Sequence, residues 1–413
     1  MKYVIIGNSA AGIGAVEGIR QIDKQGEIVI ISNEPHHTYS RPLISYLLLG
    51  KTTEEKMRYR GDSFYKDNGV KLIHANVTGI DPAGKKVVMG NKHETYDKLL
   101  VGAGSSAFIP EFEGLDTVKD KFSFMSLDDA KQLDKALGTG GKKVLIIGAG
   151  LIGLKCAEGI AKRISSIAII DLAPRILSSI LDDDGAKIIQ NHIENTVAKS
   201  GKGIIFKLGQ SVKKFEGNKA HLDNGDIINF DILVLAVGVR PNTSLLKDIA
   251  NIDRGIIVDN KSQTSAQDIY SAGDCTQTND ASSGQSKIMA LLPNAYMQGE
   301  CAGINMAGGE KTLDNLIPMN AIGFFGLHMV TAGNYNGDQF VINNGDNCKK
   351  LFYSDNKLNG FIIIGNVEKA GIYTSLIREK TPLNTIDFAL VCEKPGLMAF
   401  TKEIREEKLG SAA

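Results

Sequence analysis

An α/β fold, with two Rossmann-like dinucleotide-binding domains and a smaller C-terminal α+β domain, is predicted by three features of this 413-residue sequence. A strand that runs into a glycine turn and then a helix occurs twice, as YVIIGNSAAG from Tyr3 to Gly12 and as VLIIGAGLIG from Val144 to Gly153. Each copy is followed by an aromatic residue, an Asp, an apolar strand and a Gly, first as YDKLLVGAG from Tyr96 to Gly104 and then as FDILVLAVG from Phe230 to Gly238. Between these landmarks apolar strands such as EIVIIS and SIAIID alternate with helical patterns, as parallel sheets built from βαβ units require. The spacings from Gly12 to Gly104 and from Gly153 to Gly238 are 92 and 85 residues, so one nucleotide-binding unit is expected twice.

The expected domains are a discontinuous first one at 1–115 and 247–316, a second at 116–246 and a third at 317–413. The third has no glycine turn of this kind. Its strand-like LFYS and GFIIIG precede KAGIYTSLIREK, where Ile372, Leu376 and Ile377 recur at helical spacing. Residues 393–413 predict an amphipathic surface helix with a frayed end.

A hydrophobic content of 43% over this length supplies two or three cores, because single cores stop growing near ~250 to 300 residues. Lys plus Arg and Asp plus Glu both number 47, so no global field draws the chain to nucleic acid or to an anionic membrane. Any basic docking surface must be local. The apolar start at residues 3–19 is cut by Asn8 and Ser9, and no run approaches the ~20 apolar residues of a membrane span, which predicts a cytoplasmic protein. The five cysteines, at 156, 275, 301, 348 and 392, form no CxxC and no metal-ligand spacing, as expected of small buried hydrophobes in a reducing compartment.

The glycine turns carry the chemistry. A glycine-rich turn between a strand and a helix lets backbone N–H groups approach a pyrophosphate, whose charge the helix N-terminus favours. Gly148, Gly150 and Gly153 satisfy G-x-G-x-x-G in that setting, and Asp171 ends the next strand 23 residues after Gly148, where a carboxylate accepts from a ribose 2′-hydroxyl. A 2′-phosphate there would be repelled, which predicts NADH over NADPH. In the first turn Gly7 and Gly12 stand in place, while Ser9 replaces the middle glycine. The acidic partner is displaced past Ser32 to Glu34. Asp274 in IYSAGDC ends a strand where ligands of doubly wound sheets bind. Arg41 and Lys51 bracket Leu43, Leu47 and Leu48, which reads as an amphipathic helix with two exposed cations, or as two cations that meet a pyrophosphate and a flavin.

GNSAAG, YDKLLVGAG, GAGLIG, LAVGVRPN and YSAGDC, in this order, resemble the pyridine nucleotide-disulphide oxidoreductase superfamily over residues 1 to about 380. The YSRP and LLLGK segment is similar to its NADH:rubredoxin oxidoreductase, nitrite-reductase flavoprotein and ferredoxin-reductase branch. The resemblance implies FAD on Gly7, Ser9, Gly12, Glu34, Arg41, Lys51, Val77 and Asp274, and NAD on Gly148, Gly150, Gly153, Asp171 and Gly238. It also implies that the 292–308 segment covers the flavin's pyrimidine end. The helix expected from Arg41 to Gly50 lacks the redox Cys of the disulphide-reducing branches. Relatives usually carry a Glu two positions after the last glycine of the NAD turn, paired with the lysine matching Lys51, but Lys155 stands there. Glu158, three residues further on the same face, is the candidate to replace it as partner of Lys51.

The expected activity is transfer of hydride from NADH to FAD and of single electrons from the flavin to rubredoxin, ferredoxin or a similar small iron-sulphur protein. An NADH oxidase that makes peroxide and a noncatalytic NADH-sensing subunit are the alternatives, and a homodimer or a place in a larger complex both stay open. Lys51, Lys56, Arg58 and Arg60 are the candidate docking cations, diluted by Glu54 and Glu55.

Overall fold

The computed structural model describes residues 1–410, which form two compact units. One comprises Met1–Ile176, Val197–Asn279 and Ser286–Asp314, and the other Leu177–Thr196, Asp280–Gln285 and the chain from Asn315 onward.

The first unit contains β1 (Lys2–Ile6), α1 (Ala10–Ile22), β2 (Glu27–Ser32), α2 (Ile44–Leu48), β3 (Val70–His74) and β4 (Lys98–Val101). There follow β5 (Lys121–Phe122), α3 (Leu127–Leu137), β6 (Lys142–Ile147), α4 (Leu151–Ile160) and β7 (Ile164–Asp171). After α5 (Asp183–Lys199), whose residues up to Thr196 belong to the second unit, come β8 (Gly203–Leu208), β9 (Ile232–Leu235), β10 (Ile269–Ser271) and α6 (Leu292–Met306). Two five-stranded parallel sheets result, in the orders β10-β4-β1-β2-β3 and β5-β9-β6-β7-β8. In each, a three-stranded antiparallel meander, at residues 79–95 and 212–229, immediately precedes a strand that returns to the sheet, β4 and β9. The repeated sequence therefore folds as a repeated topology.

Strands covered on both faces read as unbroken apolar runs. Tyr3 and Ile5 of β1 pack with α1 and α6, whereas Val4 and Ile6 pack with Val87 and Tyr96 of the meander region. Leu145 and Ile147 of β6 meet Val212, Phe215 and Leu222 in the same way. The α1 and α6 helices approach closely because glycine and alanine line both. Added Cβ atoms at Gly14 and Gly18 would lie 2.3 Å from the carbonyl oxygens of Tyr296 and Glu300, and one at Gly303 would lie 2.2 Å from that of Ala15.

In the second unit β11 (Met319–Phe324), β12 (Leu327–Gly333), β13 (Asp338–Asn344), β14 (Asn347–Ser354) and β15 (Lys357–Ile364) form an antiparallel sheet of order β11-β12-β15-β14-β13. The helix α7 (Ala370–Arg378) packs on it through Tyr373, Leu376 and Ile377. Lys350 of β14, almost fully buried, reaches Asp182 at 2.5 Å and Asp184 at 2.7 Å, and so fastens the start of α5 into this unit. The terminal helix spans Lys402–Gly410, shorter than the 393–413 reading because a separate one-turn helix, Leu397–Ala399, precedes it. The tip of that expected segment, 411–413, lies outside the described residues.

Candidate functional site

At the carboxyl end of β1 the chain turns at Gly7 with φ +111°. A Cβ there would lie 2.2 Å from the carbonyl oxygen of Gly102, and one at Gly12 would lie 2.1 Å from that of Gly7 itself. Only glycine at both positions lets the strand, the turn and α1 close together. Ser9 is the N-cap of α1, yet its side chain makes no capping bond, so the first amides of the helix are left for another acceptor. This cradle fits a pyrophosphate.

Glu34 and Asp274 both lie within electrostatic reach of Arg41. The Glu34 carboxylate accepts from the Tyr39 hydroxyl at 2.7 Å and pairs with Arg41, whose other terminal nitrogen donates to the Met125 carbonyl at 3.2 Å. Tyr39 in turn accepts from the Leu127 N–H at 2.9 Å. Burial works against the Arg41 charge, but Tyr39, Glu34 and Asp274 outweigh it and hold the guanidinium above its ordinary pKa. Asp274 follows β10 and accepts from the Ser105 hydroxyl at 3.2 Å. Its carboxyl is pushed up by burial, against the Ser105 bond and the Arg41 charge. Val77 lies in the loop after β3, packed near Ile73 and Ala75. Tyr39 and Ser105 were missed from the sequence, where each is an ordinary loop residue and only the fold brings it to a carboxylate.

The second turn repeats the geometry. Gly148 has φ +112°, its notional Cβ would lie 2.2 Å from the Ala236 oxygen, and that of Gly153 would lie 2.0 Å from the Gly148 oxygen. Gly150 caps α4, and it and Gly238 have no atom within 4 Å of a notional Cβ, so both backbones border open space. Asp171 ends β7 and accepts from the Ala149 N–H at 2.6 Å and the Ala173 N–H at 2.8 Å. The carboxylate thereby braces the turn from the strand end, where a ribose would sit. These features fit a second dinucleotide.

Between the two turns α2 crosses α4 at Gly159, where a Cβ would lie 3.1 Å from the Ser45 oxygen. The expected pairing of Lys51 with Glu158 is corrected here. Glu158 closes on Lys155, three residues back on its own helix, and both are buried. Lys155 Nζ stands 4.4 Å from the centroid of the Tyr46 ring and Lys51 Nζ stands 5.8 Å from it. One turn of helix delivers Lys155 to Glu158 at little entropic cost, whereas Lys51 would have to cross from another element. Both lysines thus lie within reach of one aromatic ring.

The expected docking cations are partly neutralised: Arg58 pairs with Asp62, and Arg60 binds Glu17 through two nitrogens, the shorter contact at 2.7 Å. All five cysteines are buried and free. Burial raises the Cys156 thiol far above its ordinary value, and it raises Cys275, which is caged by the Val101 and Ala272 carbonyls at 3.5 Å. Among the described residues no group of His, Cys, Asp and Glu could hold a metal ion, and no helix is long and apolar enough to cross a membrane.

The family model of pyridine nucleotide-disulphide oxidoreductases matches residues 1–299. The chain is 30% identical over 409 residues to the NADH-dependent phenylglyoxylate dehydrogenase subunit epsilon of Aromatoleum evansii, with 93% of each chain covered. It is 32% identical over 324 residues to an NADH oxidase of Methanocaldococcus jannaschii, covering 75% of this chain and 71% of that one. To the NADH-rubredoxin oxidoreductase of Clostridium acetobutylicum it is 27% identical over 374 residues, covering 89% and 91%. Doubled turn, doubled sheet and family match coincide over the same residues, and the chain belongs to the pyridine nucleotide-disulphide oxidoreductase family.

Proposed function

We propose that this chain is an FAD-dependent NADH:acceptor oxidoreductase that delivers electrons to a small iron-sulphur protein such as a rubredoxin or ferredoxin. Residues 1–115 with 247–316 would form the FAD domain and 116–246 the NAD domain, with 317–413 as the third. FAD, when bound, takes two electrons together from NADH and releases them singly. The protein's part is placement. Gly7, Ser9 and Gly12 would seat the FAD pyrophosphate, Glu34 its ribose, and Arg41, Lys51, Val77 and Asp274 the rest of the cofactor. Gly148, Gly150, Gly153 and Gly238 would seat NADH, with Asp171 on its adenosine ribose.

The observation that carries the direct-exit reading is the state of the thiols. Cys156 and Cys275, the two on elements next to the turns, have no exposed surface, and α2 contains no Cys. A thiol relay needs an accessible thiolate, so electrons leave without one. Five free cysteines also suit a reducing, cytoplasmic setting. A second reading, as the NADH-handling subunit of a larger enzyme, is favoured by the full-length likeness to a subunit epsilon. The test is anaerobic reduction of the purified protein by NADH followed by reoxidation with rubredoxin, ferredoxin or air. Fast return with either iron-sulphur protein supports the proposal. Fast return with air alone makes it an oxidase, and slow return with all three favours the subunit.

A further inference from the structure

We propose that Lys155 is a charge-setting residue for flavin reduction, held by Glu158 and Tyr46 where the helices that follow the two glycine turns cross. The inference rests on the FAD and NADH reading above. Its physical basis is the cost of the arrangement. Lys155 and Glu158 are 9% and 5% exposed, and burying an ion pair is seldom better for stability than well-packed apolar side chains. The aromatic face of Tyr46 eases that cost without removing it. Stability alone therefore does not account for a lysine and its counter-ion here.

Place gives the reason. The α4 helix opens on the second glycine turn, and Lys155 lies one turn beyond it. The α2 helix follows Arg41, which is tied to Glu34 beside the first turn, and Gly159 lets α2 lie directly on α4. The crossing thus joins the helix that opens on the second turn to the segment tied beside the first, and a charge held there acts on what the two turns would bind. Lys51 and Lys155 against Glu158 sum to one positive charge. NADH hands over a hydride, two electrons with one proton, leaving NAD⁺ and adding one negative charge to the acceptor before any further proton is taken up. A fixed cation at the crossing favours that product and needs no reorganisation during transfer.

The charges can be changed one at a time. Lys155→Gln takes the sum to zero, Glu158→Gln raises it to two, and the double variant restores one. The measurement is the flavin midpoint potential of each FAD-loaded protein at fixed pH and salt, with the rate of reduction by NADH alongside. Lys155→Gln should shift the reduction equilibrium about tenfold against the reduced flavin, about 30 mV for a two-electron couple. Glu158→Gln should shift it the other way, and the double variant should return close to the native potential. A merely structural pair predicts instead that the potential stays put while stability falls. The double variant has no lone buried charge, so it keeps the test open if a single variant unfolds. Unmoved potentials in FAD-loaded variants, or a double variant that does not return, would overturn the inference. A native protein that takes up no FAD would instead sink the functional reading beneath it.

Discussion

Replacing Asp171 with Asn tests the choice of NADH over NADPH with the least disturbance. The carboxylate holds two backbone N–H groups, Ala149 at 2.6 Å and Ala173 at 2.8 Å. An amide accepts through one oxygen only, so one of those donors would face an NH₂ group. Leaving a backbone donor of this kind unmatched costs about 1–3 kcal/mol, and losing the charged acceptor for a ribose hydroxyl costs about as much again. The kcat/KM for NADH should therefore fall at least about 30-fold. For NADPH the sign of a second contribution reverses. Two unit charges 4 Å apart repel by about 4 kcal/mol at an effective dielectric of 20, and solvent at this half-exposed strand end reduces that to about 1–2 kcal/mol. Removing the charge offsets much of the lost turn bracing, and kcat/KM for NADPH should change by less than about threefold. The ratio of the two cofactors should thus narrow by at least about tenfold, measured as initial reduction rates of the FAD-loaded protein at one ionic strength. An unchanged ratio, or a native protein that already prefers NADPH, would refute the assignment of Asp171.

Four other outcomes follow from the same geometry. Asp274→Ala should weaken FAD retention, measured by reconstituting apoprotein across FAD concentrations; affinity equal to the native protein's would remove Asp274 from the site. Gly303→Val, at a contact where even a Cβ would lie 2.2 Å from the Ala15 oxygen, should destabilise the first unit by about 1–3 kcal/mol, seen as a lower urea midpoint. Burial pushes the Glu17 carboxyl up, but its bonds to Arg60 and Tyr296 prevail and hold it below the ordinary value of 4.5. Its stabilising contribution is therefore complete above that value and is lost as pH falls through the lowered one, so Glu17→Gln should flatten this acid limb of the unfolding profile. A chain with all five cysteines replaced by Ala or Ser should, if FAD-loaded, keep NADH-dependent reduction of rubredoxin or ferredoxin, and loss of that activity would reveal a thiol step.

Much of the fold was legible because its signals are local and repeated. VLIIGAGLIG announces strand, turn and helix within ten residues, and the matching strand orders confirm the duplication. Ile372, Leu376 and Ile377 gave the C-terminal helix because its buried face follows the helical period. Other features depend on chain segments far apart. No periodicity shows that α5 is fastened to a C-terminal sheet, since the tie is a single lysine, Lys350, reaching Asp182 and Asp184. The helix read from Arg41 to Gly50 is instead a one-turn segment, Arg41–Leu43, leading into α2 at Ile44–Leu48. Charge counting around Lys51 and Arg60 could not see that Glu17 would arrive from α1, nor that Glu158 would turn to its own helix.

The return of the chain to its first sheet also dictates an order of events on the ribosome. β10 can supply an edge strand only after residue 271 has emerged, and α6 can cover α1 only after residue 306. The second sheet is complete by β9, which ends at Leu235. The later-starting half thus closes first, while the amino-terminal half waits with the small-residue face of α1 uncovered. At ~5–20 residues per second that delay lasts several seconds, during which the Gly14 and Gly18 side of α1 stands without the helix that later packs on it.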